Sequence, residues 1–503
     1  MTIIKKDDLF KLILRMDKGE KQFYLKYVEL FSQNSNRILF KYLTSQSQFN
    51  LDQLKKDLVN EKFIAHLPVQ KNKLYNSILK AMRMYHSDDD GAYRLWATLS
   101  DITFLQEKQL YSQIQKRLPK AKQHAVEHYQ LYPLLKLISL ERDLHTSKGY
   151  QNIDLDFLNS IDQSFNIVLK DIELIWRYRI LASEISKVYS KYNMHSEEQM
   201  SKALTQLFVD NMFLEDPVPT HPFVQQYYYQ VYLYFYLYKK DYKNAFKYIF
   251  QQFKCVQSLR IDNSQQVKNH VSVAINAIAI AFKAKASSSV IWKLITDLNT
   301  IFEKHDFLQQ NQLLLSEKWF HEVIHYIHQK ELRKAENILQ QVQAWFKQNQ
   351  QKLTAQLMLV FAGYAFTCSD LKTAGDWIYK IKNQPRKEVN DQCLFNAYLM
   401  DIILSIELRK HFLADSHISN LERFLLQRKL HKTTLRAIVG MLKKTNNSTN
   451  NYTTNDNLKI YQTFKATNDL SGIRVDIMAF DFEEWLEQKI ANYASPPKVN
   501  PDY

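Results

Sequence analysis

Glycine is scarce in this chain, and this scarcity restricts the possible folds more than any other feature. Only 7 of the 503 residues are Gly, at positions 19, 91, 149, 363, 375, 440 and 472, where average usage gives about 35. Nucleotide-binding loops and turn-rich sheets need Gly where the backbone takes positive φ. The chain contains neither GxGxxG nor GxxxxGK[ST]. It therefore disfavours most nucleotide-binding α/β enzymes and sheet-rich folds.

Apolar periodicity predicts the fold class. Apolar residues recur at helical spacing along almost the whole chain, and strand-like alternation is nearly absent. Leu315, Trp319, Val323 and Ile327, for example, lie on one side of a helix. We predict an all-α protein. Because 503 residues exceed the usual size of a single core, we expect several domains or an extended repeat array.

Cysteine usage and the absence of long apolar runs indicate the compartment. The three cysteines are isolated in sequence: Cys255, Cys368 and Cys393. We interpret them as buried small side chains in a reducing compartment. Asp7 and Asp8 stand where a signal peptide needs an apolar run. The most apolar stretch, residues 271–282, is too short to cross a bilayer. We therefore expect a cytoplasmic protein with no membrane partner.

Four helix–helix junctions share a local pattern that predicts internal repetition. Each places Ala on the second helix, with an apolar residue four positions later. The alanines are Ala245, Ala335, Ala374 and Ala414, followed by Ile249, Leu339, Ile378 and Ile418. A small residue lets two helices approach closely, and the apolar residue fills the space beyond. The first Ala interval is 90 residues, against 39 and 40 for the others, and fits two units, so we expect a weaker junction around Ser289 or Val290.

These junctions make residues 223–430 similar to tetratricopeptide-type repeats. The likeness is carried by Asp241–Tyr242–Ala245 and by Leu332 with Ala335, each followed by an apolar residue one turn later. Pro385 falls near the position where that family often closes a repeat. The resemblance implies a right-handed α-solenoid of antiparallel helix pairs, with a small N-terminal helical domain before it.

Changes in composition divide the chain into five segments. A basic N-terminal domain of three or four helices occupies residues 1–86, and a helical region with weak repeats occupies residues 92–222. The tetratricopeptide-like repeats extend over residues 223–444. A polar linker at residues 445–457 leads to residues 458–503, which hold the acidic helix DFEEWLEQKI and a tail.

The net charge of +15 is concentrated in two segments. Residues 1–86 carry 16 basic and 8 acidic side chains, and residues 409–444 carry 9 basic and 2 acidic ones. Concentrated basic charge is typical of proteins that bind nucleic acid or an acidic partner. A lysine-rich composition on solvated helix faces gives the same pattern, so both interpretations stay open.

The N-terminal basic segment predicts two short helices, at residues 37–45 and 51–59, followed by a longer one at residues 66–85. The core side of the third helix carries Leu74, Ile78, Ala81, Met82 and Tyr85. Another face carries the candidate nucleic-acid contacts, which are Lys73, Asn76, Lys80 and Arg83. A basic helix after two short ones is how helix-turn-helix proteins read the major groove. A packing domain with a solvated lysine face is the default interpretation.

Eight tyrosines between residues 227 and 242 surround a whole helix. Exposed Tyr rings stack on bases or line peptide grooves, which makes Tyr228, Tyr232 and Tyr236 candidate partner contacts. The alternative, which we favour, is a helix packed on both sides within a solenoid.

The second basic segment provides a further candidate surface for phosphates or an acidic partner. Its candidate residues are Arg428, Lys429, Lys432 and Arg436. An intramolecular partner is equally available, because the acidic C-terminal helix follows a linker and can fold back onto this segment.

Residues 321–325 match the HExxH motif and so resemble zinc peptidases. By that resemblance, His321 and His325 would bind the metal and Glu322 would activate water. The core of this helix centres on Trp319, so we expect the two histidines and His328 to point towards solvent or a groove. No third ligand and no framing sheet is apparent. We interpret the match as a coincidence, with adventitious Zn²⁺ or Ni²⁺ binding by the three histidines as the alternative.

The favoured function is therefore a non-enzymatic scaffold or adaptor that binds a protein or peptide through its solenoid surface and needs no cofactor. The alternative is a nucleic-acid-associated regulator that uses the basic N-terminal domain. A zinc peptidase is the remote alternative.

Overall fold

The computed structural model describes residues 8–31, 33–87, 91–146, 154–192, 197–210, 217–261, 263–385 and 388–428, with residues 439, 440, 442, 443, 446, 485 and 488. These residues form twenty α-helices and two short 3-10 helices, at Lys62–His66 and Asp306–Gln310, and no strand. The all-α prediction is confirmed. None of the described helices is both long and apolar enough to cross a membrane.

The chain divides into two compact units. The first comprises Met1–Ile172 with Arg260–Asn263, and the second comprises Glu173–Leu259 with Ser264–Tyr503. The helices that begin in the first unit are α1 (Asp8–Arg15), α2 (Lys18–Leu30), α3 (Asn34–Ser45), α4 (Leu51–Asp57), α5 (Leu67–Tyr85), α6 (Ala92–Glu107), α7 (Tyr111–Glu127), α8 (Leu131–Thr146) and α9 (Leu155–Tyr192). The division falls inside α9, whereas the sequence suggested boundaries near residues 87–91 and 222.

Helices α1 to α5 enclose one core at the start of the chain. α2 contacts α3 and α5, and α3 contacts α1 and α5. Leu74, Ile78 and Ala81 of α5 are fully buried in this core, as predicted, and Met82 packs against it. Asp17 caps α2 in a capping box with Glu20, which fixes where the helix starts.

The second unit holds eleven helices after α9. They are α10 (Glu197–Asp210), α11 (Pro222–Tyr238), α12 (Tyr242–Ser258), α13 (Ser264–Lys283), α14 (Ser288–Lys304), α15 (Gln312–His328), α16 (Leu332–Gln348), α17 (Ala355–Thr367), α18 (Leu371–Lys382), α19 (Asp391–Glu407) and α20 (His411–Gln427). From α11 onwards, each helix contacts the next one along the chain. α13, α15, α17 and α19 also contact one another in series.

The predicted Ala junctions are confirmed in their burial. Ala245, Ala335, Ala374 and Ala414 are fully buried, and the apolar residue four positions after each is at most 4% exposed. The weaker junction is also found. Lys285 precedes Val290 by five residues, as Lys330 precedes Ala335, and both lysines take positive φ in the turn before the second helix.

Eight turns between described helices share one backbone geometry without using glycine. In each of these eight turns, the helix is followed by a residue with φ between 52° and 63°. These residues are Gln109, Tyr129, Lys240, Lys285, Lys330, Gln350, Ser369 and Arg409. At Lys330 the N–H donates to the carbonyl of Ile327, and the next N–H, from Glu331, donates to Tyr326. The same two bonds occur at all eight turns and define a Schellman motif. At these turns, other residues occupy the position that glycine usually takes, which contributes to the low glycine content.

Replacing one of these residues with glycine is expected to stabilise the fold. A non-Gly residue in the left-handed region costs about 1–2 kcal/mol, of which glycine's extra chain entropy offsets part. We expect Lys330→Gly to raise the free energy of unfolding by about 0.5–1 kcal/mol in urea titrations. Gln343→Gly, on the exposed side of α16, is the control and is expected to lower it by about 1 kcal/mol. A destabilised Lys330→Gly variant would contradict this account of the turns.

Candidate functional site

The HExxH residues lie on α15, which is buried on several sides. His321, Glu322 and His325 are 4%, 4% and 5% exposed, so the expectation that both histidines point to solvent or a groove is wrong. The physical reason is that α15 contacts α13, α14, α16 and α17. His328, at the end of α15, is exposed as expected.

Glu322 is engaged by two neighbouring side chains. Lys318 Nζ lies 3.1 Å and 3.2 Å from its two carboxylate oxygens, and Asn299 Nδ2 donates to Oε1 at 2.6 Å. The ring of His325 stacks on Trp292 with centroids 5.3 Å apart. Within the described residues, no group of His, Cys, Asp or Glu has the arrangement of a metal site. Glu322 is therefore one member of a buried ion pair with Lys318.

A buried histidine next to this region is expected to make stability depend on pH. His270 is 7% exposed, and neither ring nitrogen has a hydrogen-bond partner in the described part of the chain. Burial lowers the pKa of His270. The charge of Asp297 partly offsets this effect, and His305 lowers the pKa further. Burial also lowers the pKa of His325.

The sign of the pH dependence follows from these lowered pKa values. The unfolded histidines titrate near pH 6.5, so they take up protons before the folded ones do, and stability is lost as the pH falls below that value. We expect urea titrations to give a smaller free energy of unfolding at about pH 5.5 than at about pH 7.5. His270→Leu should reduce this difference, and an unchanged difference would contradict the role of His270.

The tyrosine cluster is packed on both sides of α11, which was the favoured interpretation. Tyr228 and Tyr232 are 6% and 4% exposed, so their rings form part of the core and offer little surface to a partner. Tyr232 and Tyr236 both stack against Tyr248 of α12, with centroids 4.9 Å and 5.3 Å apart. None of the eight tyrosines between residues 227 and 242 is exposed.

Two half-buried tyrosines of the cluster, Tyr227 and Tyr234, line a groove beside α9. A groove of about 800 Å³ runs between α9 and α11 in the second unit, and we call it the α9–α11 groove. It is lined by Arg179, Ala182, Ser183, Ser186, Lys187, Tyr227, Gln230 and Tyr234, with no acidic residue. The sequence did not identify Tyr227 and Tyr234 as the tyrosines that line a groove, because a helix covered by Tyr on all sides does not indicate which side its neighbours leave open.

Two cations in this groove have no acidic partner among the described residues. The guanidinium carbon of Arg179 lies 5.1 Å from the centre of the Trp176 ring. Neither Arg179 nor Lys187 forms an ion pair with a described residue. Burial raises the pKa of Tyr227, and the nearby Arg179 guanidinium partly lowers it. Gln230 Nε2 donates to the Tyr234 hydroxyl at 3.1 Å. The groove thus combines positive charge with hydroxyl groups.

Three of the four candidate residues of the second basic segment, Lys429, Lys432 and Arg436, lie outside the described residues. Arg428 is described and faces Asp391 of α19, with Nε and Oδ1 3.5 Å apart. Trp485, from the predicted acidic helix, is 7% exposed and donates through Nε1 to Glu407 Oε1 at 2.5 Å. This contact brings residue 485 to the end of α19. Glu483, Glu484 and Glu487 lie outside the described residues, so the pairing of this acidic helix with the basic segment stays a prediction.

A groove in the first unit, larger than the α9–α11 groove, brings together three of the four predicted nucleic-acid contacts. We call it the N-terminal groove; it has a volume of about 1220 Å³ and is lined by residues 27–36, 51–55 and 64–80 in part. Lys73, Asn76 and Lys80 line it, and Arg83 does not. Lys55 and Lys71 also line it. These two lysines were not predicted, because neither belongs to the single face of the third helix that carries Lys73, Asn76 and Lys80.

Side-chain amides and hydroxyls hold the wall of this groove in place. Gln33 Oε1 accepts hydrogen bonds from Asn36 Nδ2 at 2.6 Å and from Ser77 Oγ at 2.8 Å. Gln70 Nε2 donates to Asn36 Oδ1 at 2.6 Å. This network ties α3 to α5 and fixes the positions of the lysines that follow on α5.

Two of the three predicted buried cysteines are buried. Cys255 and Cys393 lie in the core, whereas Cys368 is exposed, contrary to expectation, because it caps the end of α17 at a turn.

No family model, curated protein or solved structure that we compared with this chain matches it.

Proposed function

We propose that this chain is a non-enzymatic helical-repeat interaction protein that binds an acidic segment of a partner protein in the α9–α11 groove. The observation that carries the proposal is the pairing of Arg179 and Lys187, two cations with no acidic partner in the described residues, with tyrosine and serine hydroxyls in a groove that no acid lines. A carboxylate is the complement of such a surface, because charge-assisted hydrogen bonds are stronger than neutral ones.

The spacing of the two cations suits a short extended peptide. Arg179 and Lys187 are eight residues apart on α9, which corresponds to about 12 Å along a helix. Acidic side chains about four residues apart on an extended chain cover a similar distance, at about 3.3 Å per residue. We therefore expect the partner segment to carry two acidic groups with a few residues between them.

The proposed architecture around this groove is a right-handed α-solenoid of antiparallel helix pairs. The serial contacts among α13, α15, α17 and α19 support it, since stacked repeats contact only their neighbours. The Schellman turns that follow α11, α13, α15, α17 and α19 support it as well, because they place the same bend after the first helix of each of these pairs. The tetratricopeptide resemblance and the cytoplasmic location stay predictions.

Capture of a partner from native lysate tests this function. Full-length protein is expected to retain a partner saturably, and Arg179→Glu/Lys187→Glu is expected to lose it. Lys293→Glu/Lys347→Glu makes the same charge change on exposed positions of α14 and α16 and should keep the partner. The proposal is overturned if no partner binds saturably or if the groove variant retains it as well as the control does.

A further inference from the structure

The N-terminal groove is an electropositive cavity independent of the α9–α11 groove. Four lysines line it and no acidic residue does. Lys55, Lys73 and Lys80 form no ion pair with any described residue, although acidic side chains are available elsewhere in the unit, as in the pair between Arg37 and Glu29. Unpaired lysines concentrated in a cavity attract an anionic ligand.

The wall of this groove also offers backbone donors. α3 begins at Asn34, and its N-cap residue Gln33 makes no side-chain capping bond. Residues 33–36 line the groove. The first N–H groups of a helix have no partner within the helix, and the helix dipole makes that end attractive to phosphate. Here this end faces the same space as the lysines.

An exposed aromatic ring completes the surface. Phe31 lines the groove and is 53% exposed. Buried Tyr27 supports its ring, with centroids 4.7 Å apart. Lys80 Nζ lies 6.0 Å from the centre of the Phe31 ring. An accessible ring beside a cation matches the two halves of a nucleotide, because the base stacks on the ring and the phosphate meets the charge.

The shape of the surface favours a single strand over a duplex. The basic face of α5 lines a concave groove together with the start of α3 and part of α4, whereas a helix that reads duplex DNA must enter the major groove. Unpaired bases can enter a concavity and stack on an aromatic side chain. The volume of about 1220 Å³ exceeds that of a typical small-ligand pocket, about 300–1,000 Å³, and so suits a polymer segment.

We propose that the N-terminal groove binds single-stranded nucleic acid, with Lys55, Lys73 and Lys80 on the phosphates and Phe31 stacked on a base. The helix-turn-helix expectation is thereby replaced: the same face of α5 contacts a flexible strand and does not insert into a duplex. This site lies in the first unit and does not depend on the proposed partner groove.

Fluorescence anisotropy with full-length protein tests the proposal. The probes are labelled single-stranded RNA, single-stranded DNA and duplex DNA with equal numbers of phosphates, and inorganic polyphosphate serves as a base-free competitor. Single strands are expected to bind more tightly than duplex, with affinity falling as salt rises. Comparison of the affinities for single-stranded RNA and single-stranded DNA shows which of the two nucleic acids the groove prefers.

Two sets of variants separate charge from stacking. Lys55→Gln/Lys73→Gln/Lys80→Gln is expected to weaken binding at least roughly tenfold and to reduce its salt dependence. Lys26→Gln/Lys41→Gln/Lys56→Gln, on exposed positions of the same unit outside the groove, is the control and should bind normally. Phe31→Ala is expected to weaken single-strand binding about 5- to 150-fold. The inhibition constant of polyphosphate should stay unchanged.

Each contrary result overturns the proposal. Equal affinity for duplex and single strand, or an unaffected Phe31→Ala variant, would identify a general polyanion site. Equal losses in the groove and control lysine variants would remove the groove from the interaction altogether. Absence of binding at low salt would exclude nucleic acid as the ligand.

Discussion

Glu322→Leu is expected to lower the free energy of unfolding by about 3–5 kcal/mol, as is typical when one member of a buried ion pair is removed. The side chains of Lys318 and Glu322 are only 15% and 6% exposed. Without the carboxylate, the Lys318 ammonium stays in a poorly solvated position with no counter-charge, and Asn299 Nδ2 loses its acceptor. Most of the loss comes from that uncompensated charge.

A double variant provides the control. Lys318→Met/Glu322→Leu removes both charges and is expected to be more stable than Glu322→Leu alone, since apolar replacement of a whole buried pair is often nearly neutral. Urea titration followed by circular dichroism measures both. A double variant less stable than the single one would show that the ion pair is not what Glu322 contributes.

Trp485→Ala is expected to release the end of α19. The indole is 7% exposed, and truncation of a buried Trp costs about 3–5 kcal/mol. We expect hydrogen exchange of α19 and α20 to lose protection, because Trp485 contacts Glu407, the last residue of α19. Exchange in α1 to α5 should be unchanged.

Two milder substitutions separate packing from the hydrogen bond at this contact. Trp485→Phe keeps an aromatic ring and loses the N–H donor, and Glu407→Gln keeps an acceptor without its charge. Both are expected to lose less protection than Trp485→Ala. Unchanged exchange in Trp485→Ala would mean that this contact does not stabilise the end of α19.

The sequence predicted those features that depend on local spacing. The buried alanines of the junctions, the core residues of α5 and the all-α class each follow from residues within a few helical turns. The N-terminal groove was partly predictable for the same reason, since Lys73, Asn76 and Lys80 share one face of α5. Lys55 and the start of α3 come from other segments and meet that face only in the folded unit.

The features that the sequence did not predict depend on neighbouring helices. Trp319 and Val323 mark one apolar side of α15, but the opposite side is buried as well, because helices on more than one side contact α15. The open side of the tyrosine-rich α11 is likewise set by where α9 and α12 lie. Helical periodicity describes one helix at a time and therefore gives no information on how many neighbours that helix has.

Hydrogen exchange of the full chain with and without its captured partner locates the surface that binds the partner. We expect protection in residues 179–187 of α9 and 227–234 of α11, with loss of that protection in Arg179→Glu/Lys187→Glu. Protection elsewhere, with residues 179–187 and 227–234 unchanged, would contradict the assignment of the α9–α11 groove as the binding surface.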